Sequence, residues 1–183
     1  MGYTVFVKKI LDQKFFNKSS VKIAKALLGK FLVRKINGKE ISLMIKEVEL
    51  YDGFNDRASH ANRGRTKRNT PMFGSAGRWY VYLCYGMYEM LNVVIGKKNY
   101  PAAILIRGAG RYNGPGKLTE ALKIGRKLNN KKASKKTGLW VEDRGVKVYT
   151  KNIKKAPRVG VHYAGPKWSN KKLRFFLNPS IYS

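Results

Sequence analysis

Phe31–Tyr51 reads FLVRKINGKEISLMIKEVELY. Two strand-like runs flank Asn37-Gly38, a pair suited to a tight hairpin because its central positions need positive φ. The segment therefore predicts a strand Phe31–Ile36, a turn, and a long strand from Glu40. Side chains alternate along a strand, which places Ile41, Leu43, Ile45, Glu47, Glu49 and Tyr51 on one face. An apolar face that ends in two acids and a tyrosine describes a strand leaving the core to floor a pocket.

Downstream the chain turns polar. Lys46–Asn69, KEVELYDGFNDRASHANRGRTKRN, carries one of only two histidines and a cluster of arginines. Asp52–Gly77 has little periodicity and many Gly, Asn, Arg and Ser, which predicts a long functional loop rather than a linker.

On either side of this centre the chain gives further elements. Ser19 or Ser20 is placed to cap a helix whose apolar residues Val21, Ala24, Leu27 and Leu28 share a face, with Gly29 as its stop. RWYVYLCYGMYEMLNVVIG predicts two strands joined at Tyr85-Gly86-Met87, and Ala102–Arg107 a third. Pro115-Gly116 opens a second helix with Leu118, Ala121, Leu122 and Gly125 on its apolar side. Asn129–Thr137 is a Lys/Asn-rich run expected to be a mobile surface loop. Short strands are expected at Val146–Tyr149, Arg158–His162 and Leu173–Leu177. Together these predict one domain, residues 1–183, of mixed α/β class: a curved, mainly antiparallel sheet with a few flanking helices.

The chain has 183 residues, 43% hydrophobic and 12% aromatic, enough for a buried core without staples. Its 39 Lys+Arg against 10 Asp+Glu give a formal charge of +29. Such an excess repels itself in a compact state and points to a polyanionic partner, nucleic acid first and an anionic membrane surface second. A proteome rich in Lys and Asn would supply part of it with no partner at all. The single cysteine, Cys84, excludes an internal disulfide, and two histidines and one cysteine at no ligand spacing argue against zinc. No apolar run approaches a membrane span. Met1-Gly2 is followed by Phe6 rather than the Ser or Thr of a myristoylation signal, and there is no signal-peptide pattern, so an intracellular protein is expected.

Each candidate site residue has an ordinary alternative. Glu49 is either a strand-end acid paired with Arg57, Arg63 or Arg65, or a carboxylate that deprotonates a water beside a polyanion. Glu47, one pleat deeper, reads as a supporting acid. Tyr51, Tyr80, Tyr82, Tyr85 and Tyr88 are either half-buried strand aromatics or a platform for stacked bases, with a cation–π contribution if the base is charged. Tyr85 and Met87 flank a glycine at a strand–strand turn, where an aromatic can wedge between base pairs. His60 on pattern alone is a surface histidine. Gly114–Lys117, GPGK, lacks the spacing of a phosphate-binding loop and reads as a helix start.

Read together, these residues resemble the alkyladenine-type 3-methyladenine DNA glycosylases, the methylpurine-DNA glycosylase family. The matching pieces are Glu49-Leu50-Tyr51, Ala58-Ser59-His60, Thr66–Phe73 and, most specific, YVYLCYGMYEMLN from Tyr80 to Asn92. LIRG at Leu105–Gly108, GPGKL at Gly114–Leu118, RVGV at Arg158–Val161 and the late LRFF follow in order, so the resemblance spans nearly the whole chain.

The resemblance implies a monofunctional glycosylase that flips an alkylated purine from duplex DNA and hydrolyses its N-glycosidic bond. By it, Glu49 is the general base; Tyr51, His60 and Tyr82 enclose the base; Tyr85, with Met87 beside it, fills the gap left in the helix. Asn92 discourages normal guanine by obstructing its exocyclic amino group, and Arg107 lies near the flipped nucleotide's phosphate. 3-Methyladenine and 7-methylguanine are the expected lesions, double-stranded DNA with damaged purines the partner, a monomer the working state, and no metal or cofactor is implied. The competing readings are a non-enzymatic nucleic-acid-binding protein and an inactive relative that senses damage. The first leaves an acid within a basic surface unexplained, and intact Glu49, Tyr51, His60, Tyr85 and Asn92 oppose the second.

Overall fold

A computed structural model describes residues 8–18 and 20–178. Met1-Gly2, Phe6 and the proposed cap Ser19 lie outside the described residues. Among those described, ten strands form one unclosed, mainly antiparallel sheet with four helices, a single mixed α/β domain. The predicted hairpin is its spine: β2 (Phe31–Ile36) pairs with β3 (Lys39–Asp52), with Asn37 and Gly38 at φ 49 and 79 in the turn. The sheet runs β1 (Lys9–Ile10), β8 (Leu139–Asp143), β2, β3, β6 (Ala102–Ala109), β5 (Tyr88–Val94) and β4 (Trp79–Cys84). β7 (Tyr112–Asn113) pairs with β6, while β10 (Arg174–Leu177) joins β3 to β9 (Ile153–Ala156). No helix among the described residues is long and apolar enough to cross a membrane.

One face of the sheet buries the main core. Trp79, Val81, Leu91, Val93, Ile104, Ile106, Val48 and Leu50 pack there with Phe16 of α1 (Gln13–Phe16), α2 (Ser20–Leu27) and α3 (Pro115–Ala121). The α2 face differs slightly from the one expected: Ile23, Ala24, Leu27 and Leu28 are buried, and Val21 is exposed. Ser20 begins the helix and donates its hydroxyl to Asp52 Oδ1 at 2.7 Å, a tie to the end of β3.

β3 does not keep one face throughout. Ile45, Val48 and Leu50 are all in the core, which strict alternation forbids. Pairing with β6 slips between Ile45 and Glu47 and again between Glu47 and Val48. This irregularity rotates the strand so that Glu47, Glu49 and Tyr51 turn away from the face that buries Ile45. The six residues expected to share a face are therefore divided, and Ile41 is exposed.

Other expectations are corrected by backbone accounting. Asn129–Thr137 is not a free loop: Trp79 N–H donates to Lys131 O, Asn130 N–H to Trp79 O and Ala133 N–H to Gly77 O. Val81 N–H also donates to Asn129 Oδ1. The run thereby covers the outer edge of β4, whose backbone groups need partners. Val146–Tyr149 forms no strand; a Cβ on Gly29 would lie 2.5 Å from Val148 Cγ2, so this segment packs side chains against the helix stop. Arg158–His162 is likewise no strand, because its polar groups are turned to Glu49, Leu50 and Asp56. β8 and β9 are strands where none was expected.

Candidate active site

The second face of the sheet carries the candidate residues. Register aligns a row across five strands: Tyr80 faces Asn92, Asn92 faces Leu105, Leu105 faces Glu49, and Glu49 faces Arg174. Residues 53–77 close over part of this face through a small apolar cluster of Ala61, Met72, Phe73, Tyr80, Val94 and Ala103. The segment after β9 closes from the other side, with Val161 and Ala164 packed on Ala58. Between the two covers lies a cleft of about 1080 Å³, whose lining includes Glu49, Tyr51, His60, Tyr82, Tyr85 and Arg107. An adjoining cavity of about 40 Å³ is bounded by Tyr51, His60, Tyr80, Tyr82 and Asn92 among others.

Glu49 has no exposed surface. Val159 N–H donates to its Oε1 at 2.8 Å and Tyr51 Oη–H to its Oε2 at 3.1 Å, so both oxygens are held. Arg107 Nε stands 3.5 Å from Oε1 and 3.1 Å from Glu47 Oε1, and Arg174 Nη1 also binds Glu47 at 3.1 Å. Burial pushes the Glu49 carboxyl above the usual carboxylate range. The charge of Arg107, the Val159 N–H and the Tyr51 hydroxyl oppose that rise, while Glu47 adds to it. A carboxylate oriented by donors and destabilised by desolvation is a competent proton acceptor.

The rings are fixed as firmly. Burial holds the Tyr51 phenol well above its ordinary value, followed by the Glu49 charge, so it acts as a donor. His60 Nδ1 meets Tyr80 Oη at 3.0 Å, and its ring meets Tyr82 edge-on at a centroid distance of 4.6 Å. Partial burial, then the Arg68 guanidinium, lower the His60 pKa to about 4. At neutral pH the imidazole is uncharged, with one nitrogen donating and one accepting. Burial pushes the Tyr80 phenol up to about 12. Arg68 lies over Tyr82, 5.0 Å from its centroid, and donates to Leu83 O.

Asn92 is buried, and its amide donates to Tyr80 O and Met90 O, which fixes its orientation at the inner cavity. Tyr85 sits at the hairpin tip with φ 51, followed by Gly86 at φ 70, and Met87 N–H donates to Cys84 O. A tyrosine in left-handed backbone is strained, and this one is 84% exposed. Met87 is exposed beside it but does not line the cleft. His162, the other histidine, lies exposed at the start of a turn.

Several residues that build the site escaped sequence reading as site residues. Arg158 is buried; its Nη2 donates to Asp56 Oδ1 at 2.8 Å and its Nη1 to Asp56 Oδ2 and Leu50 O. Its guanidinium also covers Tyr51, 4.7 Å from the ring centroid. Asn69, buried, accepts from Thr66 N–H and donates to His60 O and Gly64 O, so it shapes the histidine loop. Tyr163 donates to Ala58 O and lines both cavities. The RVGV match and the Asn of Thr66–Phe73 were visible; the burial of Arg158 and Asn69 was not.

Comparison with known proteins gives this geometry its class. The family model described as Methylpurine-DNA glycosylase matches residues 14–111 and 110–180. A relative from Methanocella arvoryzae is 42% identical, the match covering 85% of this chain and 86% of the relative. One from Legionella pneumophila is 40% identical over 94% and 96%, and one from Clostridioides difficile 35% identical over 84% and 94%. Each of the three is named "Putative 3-methyladenine DNA glycosylase". The protein is thus a DNA glycosylase, a hydrolase of N-glycosyl bonds acting in base excision repair. It belongs to the methylpurine-DNA glycosylase family.

Proposed function

We propose that the protein removes 3-methyladenine, and 7-methylguanine with it, from duplex DNA by flipping the damaged nucleotide into the cleft and hydrolysing its glycosidic bond. The observation that carries this reading is Glu49, a buried carboxylate held by Val159 and Tyr51 at the wall of a cleft lined by aromatic rings and arginines. An N-glycosidic bond inside a stacked duplex is out of reach, so the base must be extruded at a cost that pocket and wedge contacts offset.

In this mechanism the alkylated purine enters between Tyr51 and Tyr82, with His60 at its edge. Its positive charge favours the faces of tyrosines. Glu49 takes a proton from a water as that water's oxygen bonds to C1′. The C1′–N bond breaks, and its electron pair neutralises the departing base. Because the leaving group is already cationic, no strong general acid is needed. The Glu49 carboxylate also stabilises positive charge developing on the sugar. Neutral His60 reads the base edge, and Asn92 discourages normal guanine by crowding its exocyclic amino group, a cost that 7-methylguanine offsets through its positive charge on the tyrosines. Tyr85 fills the vacated stack with Met87 beside it, and Arg107 meets the nucleotide's phosphate. The protein works as a monomer on damaged duplex DNA.

The test is release of free 3-methyladenine from methylated duplex, native protein against Glu49→Gln. Release by the native chain, with a variant that binds the duplex but loses release by about 10²-fold or more, is the expected result. Tight DNA binding with no release by the native chain would favour a damage-sensing protein instead.

A further inference from the structure

Tyr51 stands between a buried cation and the cavity. The Arg158 guanidinium covers one face of the ring, 4.7 Å from its centroid, and Arg158 lines neither cavity, whereas Tyr51 lines both. The ring therefore separates the guanidinium from the space proposed for the base. Asp56, completely buried on the loop before His60, engages both Nη groups of Arg158. The side chains of both partners have no accessible surface, so water does not screen the charge that Asp56 cancels.

We infer that Asp56 is a specificity-determining residue: by neutralising Arg158 behind Tyr51, it lets that ring accept a positively charged purine, and the charge balance of the buried pair sets the preference for cationic over neutral bases. The inference rests on the base-stacking role of Tyr51 proposed above. An aromatic face attracts cations through its quadrupole, and a bare guanidinium on the opposite face would act directly against that attraction. It would also repel a cationic base across one ring thickness in a site of low dielectric. A neutral purine of the same shape is indifferent to both effects. Asp56 additionally accepts the backbone N–H groups of Asp52 and Ala58, so its position is fixed independently of Arg158.

A charge cycle tests this. In a Glu49→Gln background, which stops turnover, affinities are measured for duplexes carrying 7-methylguanine, cationic, or 7-deaza-7-methylguanine, its neutral isostere. Asp56→Asn leaves a net positive charge behind the ring and is expected to lower the cationic-to-neutral affinity ratio about tenfold. Arg158→Met is expected to raise the ratio. The double variant, whose pair carries no net charge, is expected to return to within about twofold of the parent; it also keeps the test informative if a single variant fails to fold. A clamp that only holds the fold would change both affinities together, so one ratio throughout the cycle overturns the inference. Base release by the Glu49→Gln parent would sink the role of Glu49 and leave this ratio intact, which separates the two failures.

Discussion

Glu49 and Asp56 are both completely buried carboxylates, seven residues apart, and they differ in how fully their charge is met. Asp56 is saturated: two guanidinium nitrogens and two backbone N–H groups surround it. Glu49 has one backbone N–H, one phenol and a guanidinium at 3.5 Å, and its desolvation is not fully offset. Burial alone therefore does not mark a candidate proton acceptor; the shortfall in its partners does. Asp56 holds the loop and the segment around Arg158 together. Glu49 depends on that assembly, since the N–H that orients it belongs to Val159, the residue after Arg158.

The largest way to break this contrast is Arg158→Met. It leaves Asp56 charged and unpaired in the interior, a loss of about 3–5 kcal/mol, read as a lower melting temperature and urea midpoint. Release should fall with it even where the protein stays folded, because Val159 N–H loses its anchor. A variant with native stability would show that the pair is not structural.

Tyr85 supplies a second contrast, between strain at an exposed tip and satisfaction in the interior. Tyr85→Gly should stabilise the chain by about 1 kcal/mol, since glycine adopts this backbone without the side-chain penalty. It should lower release from duplex about tenfold, and much less from single-stranded DNA, where little stacking needs replacing. Equal losses on the two substrates would remove the wedge from the account.

Titration sharpens the comparison next. His60 is held down to about 4, so the folded state binds a proton less readily than the unfolded one. The stability this confers is present at neutral pH and is lost as pH falls from the ordinary histidine value of about 6.5 toward 4. His60→Gln should flatten that part of a melting-temperature profile, and no inflection of release near pH 6.5 should belong to His60. The acid limb of release should instead lie above the usual carboxylate range, because the Glu49 carboxyl is raised.

The smallest expected effect belongs to the rim. Arg63, exposed at the cleft edge, is expected to meet a phosphate. Arg63→Ala should weaken DNA binding regardless of lesion and reduce the salt slope by about one. An unchanged slope would place Arg63 outside the DNA path.

Much of the fold was legible because its signals are local. Asn37-Gly38, the Tyr85–Met87 tip and Pro115 each announce a turn or helix start through backbone preference. Glu49, Tyr51, His60, Tyr82 and Arg107 were picked from the chain, and the structure brings them around one cleft. The bulge in β3 was not legible, since an irregular register looks like plain alternation until its partner strand is known. β8 stayed hidden because Trp140 and Val141 follow a lysine-rich run that reads as solvated loop, although the backbone of that run covers the edge of β4. Arg158 was quoted only as part of a motif: a partner 102 residues away, Asp56, gives it meaning, and no local pattern encodes that distance.

Glu49→Gln, assayed for release of 3-methyladenine and for melting temperature in parallel across pH, tests the central claim most directly. A group whose pKa is raised by folding costs stability once it ionises, so this cost is absent at low pH and grows as pH rises through the Glu49 value. The account predicts that the variant loses release and melts higher than the native protein, by a margin that widens with rising pH. A variant that keeps releasing base, or that melts lower at neutral pH, would show that Glu49 is a structural acid and not the proton acceptor.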